Sequence, residues 1–141
     1  PEYHDPAFMK LVKDCCCDLV GKDRVKFDYE SWSTGSSDFG DVTCVMPGVQ
    51  FFAAGAIGTG HGIDYYVKDP NRMCVNAVKA QLFVADALLR DDAAAARKII
   101  ADYKPQYPSI KAYLDAINEL FLDKDAVQYD EHGNATVDFQ N

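Results

Sequence analysis

The stretch Val49-Gln50-Phe51-Phe52-Ala53-Ala54-Gly55-Ala56-Ile57-Gly58-Thr59-Gly60-His61-Gly62-Ile63-Asp64-Tyr65-Tyr66 decides how the rest of the chain is read. Residues 49–54 are mostly apolar and partly aromatic, which predicts a strand buried on both faces. Gly55, Gly58, Gly60 and Gly62 then strip the backbone of side chains and leave room for a close approach. His61 stands between two of these glycines, open to whatever fills that space. Local sequence leaves two readings of it open. It is either the solvated imidazole of a simple turn or a metal ligand or catalytic base.

Working outward, residues 25–30 alternate apolar and charged side chains, which predicts a strand with one covered face. A loop over 31–35 follows. Ser36, Ser37 and Asp38 offer N-caps to a short helix that runs to about residue 46, where Pro47-Gly48 stops it. This order is strand, helix, strand. It predicts parallel strands joined by a right-handed crossover, with both following loops at one carboxyl edge of the sheet. Asp38 and His61 are therefore expected at the edge where open α/β sheets bind their ligands. Serines at a helix start are caps far more often than nucleophiles.

The flanks are expected to be helical. Asp5-Pro6 reads as N-cap and first helical residue, Gly21 closes that helix, and Phe8, Leu11, Val12, Cys15 and Leu19 form its buried stripe. Asp69-Pro70 repeats the start signal for a helix over 71–90 whose core stripe reads as Val75, Val78, Leu82, Ala85 and Leu89, packed on the sheet. A second helix is expected over 93–103, capped by Asp91 or Asp92, and a third after Tyr107-Pro108 with Ile110, Tyr113, Leu114, Ile117 and Phe121 on one face. Residues 126–140 alternate around Glu131-His132-Gly133-Asn134, a hairpin signature. His132 belongs to that turn, and His4 sits at the extreme start.

Composition narrows the function classes. A chain of 141 residues with 48% hydrophobic content buries one ordinary core, and no repeat or interior linker divides it, so residues 1–141 are read as a single domain. The net charge of -8 without clustered Lys or Arg argues against nucleic acid and anionic membrane as partners. No apolar run approaches the roughly 20 residues of a spanning helix. The chain starts at Pro1 without an initiator methionine or signal sequence, which reads as a cut from something longer. Cys15, Cys16 and Cys17 are consecutive, so a helix points them apart and they cannot jointly close on one tetrahedral metal. With Cys44 and Cys74 they make an odd set without spaced pairs, as expected of reduced thiols in a cytoplasmic protein. No GxSxG elbow, GxxxxGK[ST] loop, dinucleotide fingerprint or HExxH helix occurs.

The string Gly35-Ser36-Ser37-Asp38-Phe39-Gly40-Asp41-Val42, then Val49-Gln50-Phe51, then Gly58-Thr59-Gly60-His61, resembles the carboxyl-terminal part of the metal-dependent amidohydrolases that include p-aminobenzoyl-glutamate hydrolase, aminoacylases and carboxypeptidase G. The resemblance covers residues 5–90. It implies an α/β fold, the C-terminal portion of a three-layer α/β/α metallo-hydrolase catalytic domain with a C-terminal β-hairpin added. In that family an inserted lid and dimerisation domain interrupts the catalytic domain, and the chain returns from it shortly before the Gly-Ser-x-Asp motif. The resemblance assigns His61 as the last ligand of a two-metal centre, two zinc ions or alternatively Mn or Co. It places Ser36, Ser37, Asp38 and Gly60 around the substrate or behind the ligands.

The activity implied is hydrolysis of the amide bond of N-acyl amino acids such as p-aminobenzoyl-glutamate, or of small peptides, by a metal-activated water with a glutamate as general base. The remaining ligands and that glutamate would come from the missing N-terminal half of the same chain, and the intact protein would be a homodimer. Thr59 stands where relatives of the p-aminobenzoyl-glutamate type carry Pro, and Gly62-Ile63-Asp64 stands where they carry an aromatic residue, which leaves the substrate open. The competing reading is a non-catalytic α/β binding or interaction domain whose glycine loop is only a turn.

Overall fold

The computed structural model describes residues 3–27, 37–121 and 126–137. It is a mixed structure of helices and two small antiparallel sheets. Four helices, α1 (Pro6–Val20), α2 (Phe39–Thr43), α3 (Asn76–Asp102) and α4 (Ile110–Leu120), are joined by two-stranded hairpins, β1 (Ala56–Ile57) with β2 (Tyr66–Val67) and β3 (Val127–Tyr129) with β4 (Ala135–Val137). By contacts the chain divides into two units, Pro1–Pro108 and Ser109–Asn141.

The first helix forms where its punctuation places it. Asp5 is the N-cap, its Oδ1 accepting a 2.8 Å hydrogen bond from the Phe8 N–H, and Pro6 follows where a missing N–H costs nothing. Gly21 ends the helix with φ 89°, its N–H donating to the Cys17 carbonyl. The stripe faces inward as expected. Val12 and Cys15 are buried against Val84 of α3, with Phe8, Leu11, Cys16, Val49, Phe51, Ala87 and Leu88 packed around them. No disulfide forms: Cys15 and Cys44 are buried thiols, and Cys74 is exposed. Burial, above all other influences, pushes the Cys15 and Cys16 thiols above their ordinary range.

The expected strand over 49–54 is absent. A strand exists only as part of a ladder, and neither sheet among the described residues includes this segment. Its side chains still alternate, with Val49 and Phe51 on the helical core and Phe52 85% exposed, so the period-two pattern is present outside both described sheets. Residues 25–27 are not a strand either, and 28–30 lie outside the described residues. Both sheets are antiparallel, so no parallel crossover unit and no shared carboxyl edge for Asp38 and His61 occurs among the described residues.

In α3 the expected core stripe faces the wrong way. Val84, Ala87 and Leu88 pack with α1 and Ala80 is buried, while Val78, Leu82 and Leu89 are 55%, 63% and 68% exposed. At 3.6 residues per turn the two sets lie on nearly opposite sides. The helix therefore carries two apolar faces. A π turn over Asn71–Val75 precedes α3, with Asp69 Oδ1 accepting from the Arg72 N–H at 3.0 Å. A break falls inside α3 where Arg90 leaves helical ψ and Asp91, Asp92 and Ala93 take φ of 53°, 57° and 57°. That break matches the boundary expected between two helices at Asp91 and Asp92.

The short α2 begins at Asp38 as expected and ends at Thr43, three residues sooner than residue 46, in a turn before Pro47. Its last carbonyls are satisfied from a distant segment. The Tyr103 hydroxyl donates to the Thr43 carbonyl at 2.6 Å, and the Gln106 N–H to that of Cys44 at 3.0 Å. Thr43 is fully buried, and its hydroxyl both donates to the Gly40 carbonyl and accepts from the Tyr3 N–H, each at 3.1 Å. Nothing in the sequence pattern marks it as this hub.

In the second unit, Ser109 caps α4, its Oγ accepting from the Ala112 N–H at 3.1 Å. The expected apolar face of α4 is present and exposed, Ile110 and Phe121 being 65% and 79% accessible. The terminal hairpin sets Val127 opposite Val137 and Tyr129 opposite Ala135. Phe139 lies outside the described residues.

Candidate functional site in the glycine loop

The His61 loop is the tip of the β1–β2 hairpin. Ala56 pairs with Val67 and Ile57 with Tyr66, and at the base the Gly55 carbonyl accepts from the N–H groups of Lys68 and Asp69 at 2.8 and 2.9 Å. Two of the glycines are needed by the hairpin itself. Gly55, at φ 140°, lies where a Cβ would come within 2.6 Å of the Asp69 carbonyl oxygen. Gly58, at φ 102°, is pressed against the Asp64 backbone, whose carbonyl carbon a Cβ would meet at 2.6 Å. What approaches the backbone closely here is the same chain. Gly60, by contrast, is exposed and has open space around it.

The loop is held by its own polar groups. Asp64 Oδ2 accepts from the Thr59 N–H at 3.1 Å and from the Thr59 hydroxyl at 3.3 Å, and the Gly62 N–H donates to the Thr59 carbonyl at 2.7 Å. That last bond closes a turn with Gly60 and His61 at its centre, and His61 takes φ 62° there. A positive φ at a histidine is uncommon and requires an ordered loop to hold it. The imidazole is exposed at the tip.

The other expected site residues are placed more modestly. Ser37 is exposed and its Oγ accepts from the Phe39 N–H at 3.2 Å, a capping role at the start of α2. Asp38 is the exposed residue preceding that helix, and its carboxylate makes no capping bond. Ser36 lies outside the described residues. His4 stands edge-on to the Phe39 ring at 6.2 Å, and His132 is a turn residue whose N–H donates to Asp130 Oδ1 at 2.8 Å.

Among the described residues no group of three or more His, Cys, Asp or Glu is arranged to hold a metal ion. Catalytic zinc takes about three protein ligands. His61 with its neighbours therefore does not fit a complete metal centre, and any such centre needs donors that the described residues do not bring to it. Among the described residues no helix is long and apolar enough to cross a membrane. Comparison of the chain with protein-family models, with curated proteins and with solved structures finds no match.

Proposed function

We propose that this chain is the carboxyl-terminal part of a cytoplasmic metal-dependent amidohydrolase that cleaves N-acyl amino acids or small peptides, with His61 as one ligand of its metal centre. The reading rests on the order of the Gly35-Ser36-Ser37-Asp38 and Gly58-Thr59-Gly60-His61 motifs. The observation that carries it is the His61 turn, an exposed imidazole at φ 62° on a loop braced by Asp64 and Thr59.

In this reading the three-layer α/β/α domain and its parallel sheet are completed by the N-terminal half of the same protein. That half supplies the other ligands and the general base, and the intact protein is a homodimer. Ser37 and Asp38 then shape the pocket from the start of α2, and Gly60 leaves space beside the imidazole. The test is turnover of an N-acyl amino acid by the full-length protein and by its His61→Ala variant. Loss of at least about 100-fold in kcat/KM with an unchanged circular dichroism spectrum is expected; near-normal turnover removes His61 from the site.

A second reading, a non-catalytic α/β interaction domain, is favoured by one observation. The outward face of α3 is apolar and exposed along its first four turns.

A further inference from the structure

Residues 76–89 of α3 carry more apolar surface than α1 covers, and Val75 of the preceding π turn adds to it. Val84, Ala87 and Leu88 pack with α1, and Ala80 is buried. On the far side Val75, Val78, Leu82, Ala85 and Leu89 are all exposed. Their separations are three, four, three and four residues, so they fill the a and d positions of two heptads, the spacing by which one helix seats against another. A helix apolar on both sides is normally covered on both.

The charges beside this seam indicate what covers it. Lys79 and Asp86 both occupy e positions, one heptad apart on the same flank, and both are exposed. Asp86 Oδ2 also accepts from Arg90 of its own chain at 2.7 Å, an exposed ion pair that a second cation can share. In an antiparallel pair of identical helices, e positions face e positions. When Leu82 of one copy packs beside Ala85 of the other and Val78 beside Leu89, Lys79 of each copy falls opposite Asp86 of the other. The two-fold axis makes this pairing twice. A parallel pair would not bring Lys79 opposite Asp86, because e then faces the g five residues earlier, which here is Cys74 for Lys79 and Gln81 for Asp86.

We propose that the outward face of α3 is a self-association surface, on which two copies of this chain pair antiparallel through Val78, Leu82, Ala85 and Leu89 with Lys79 matched to Asp86 of the second copy. The seam from Val78 to Leu89 is about 17 Å long at 1.5 Å per residue. This surface is separate from the His61 loop, and the proposal does not depend on the hydrolase reading.

Sedimentation equilibrium of the 141-residue chain at micromolar to hundred-micromolar concentration tests it, with far-ultraviolet circular dichroism as the check on folding. A reversible equilibrium ending at two copies is expected, weakened at least about tenfold by Leu82→Glu. Either charge reversal alone, Lys79→Glu or Asp86→Lys, should weaken the dimer several-fold, and the double reversal K79E/D86K should recover most of that loss, since it recreates the match between copies and leaves unrepaired only the ion pair of Asp86 with Arg90 in its own chain. The charge series leaves the apolar seam intact, so it decides the matter even if Leu82→Glu perturbs the helix. A chain that stays monomeric throughout overturns the proposal, as does association that runs past two copies or a double reversal no better than the singles. Each of these results means that the stripe is covered by something other than this antiparallel pairing.

Discussion

Ala93 illustrates how a single residue can run against its own propensity. Alanine is the best helix former, and replacing it by glycine inside a helix ordinarily costs about 1 kcal/mol. Here Ala93 ends a run of three residues in the left-handed region, at φ 57°. That conformation costs an L-residue roughly 1–2 kcal/mol, and glycine escapes the penalty. Ala93→Gly is therefore expected to stabilise the chain by about 0.5–1 kcal/mol, whereas Ala95→Gly two residues on should destabilise it by about 1 kcal/mol. Urea denaturation of the two variants checks the opposite signs. Two destabilised variants would place Ala93 inside a regular helix. The glycines of the His61 loop teach a related lesson. Their number suggested space for a ligand, yet Gly55 and Gly58 are there because the chain presses on itself, and only Gly60 opens onto free space.

At the scale of elements, what was legible in sequence is what depends on neighbours along the chain. Asp5 and Gly21 cap their helix as read, a helix follows Tyr107-Pro108, and the hairpin over 127–137 forms, because each needs only local backbone and a side chain within a few residues. What was not legible depends on distant partners. The strand expected over 49–54 requires a ladder, and alternation alone cannot supply one. The role of Thr43 depends on Tyr3, an N–H forty residues away. The face that α3 turns to α1 could not be read either, since both faces are apolar. The terminal hairpin offers a pH test of local order. Asp130 accepts from the Asn134 side chain and backbone and from the His132 N–H, each at 2.8 Å, and these bonds, the Asn134 side chain first, hold its carboxyl below the ordinary range. A lowered folded-state value means that the contribution is complete above the unfolded carboxyl range and is lost as pH falls through the folded one. Amide shifts of His132 and Asn134 followed by nuclear magnetic resonance should hold steady through the ordinary aspartate range and move only at lower pH. Movement at the ordinary range would show that the bonds do not form in solution.

For the molecule as a whole, the described residues bury a small helical core around Val12, Cys15 and Val84 and leave large apolar side chains exposed on α3 and α4. Surface of that kind is characteristic of chains that are completed by something else. In the hydrolase reading the completion is the rest of the catalytic domain, and His61 has one job in it, to hold a metal ion whose other ligands arrive from outside this sequence. Elemental analysis of the full-length protein, purified without chelator, tests that claim directly beside its His61→Ala variant. Two divalent ions per chain in the unaltered protein and at least one fewer in the variant, with the fold retained, is the expected result. A protein that purifies without divalent metal, or a variant that keeps the full complement, would contradict it.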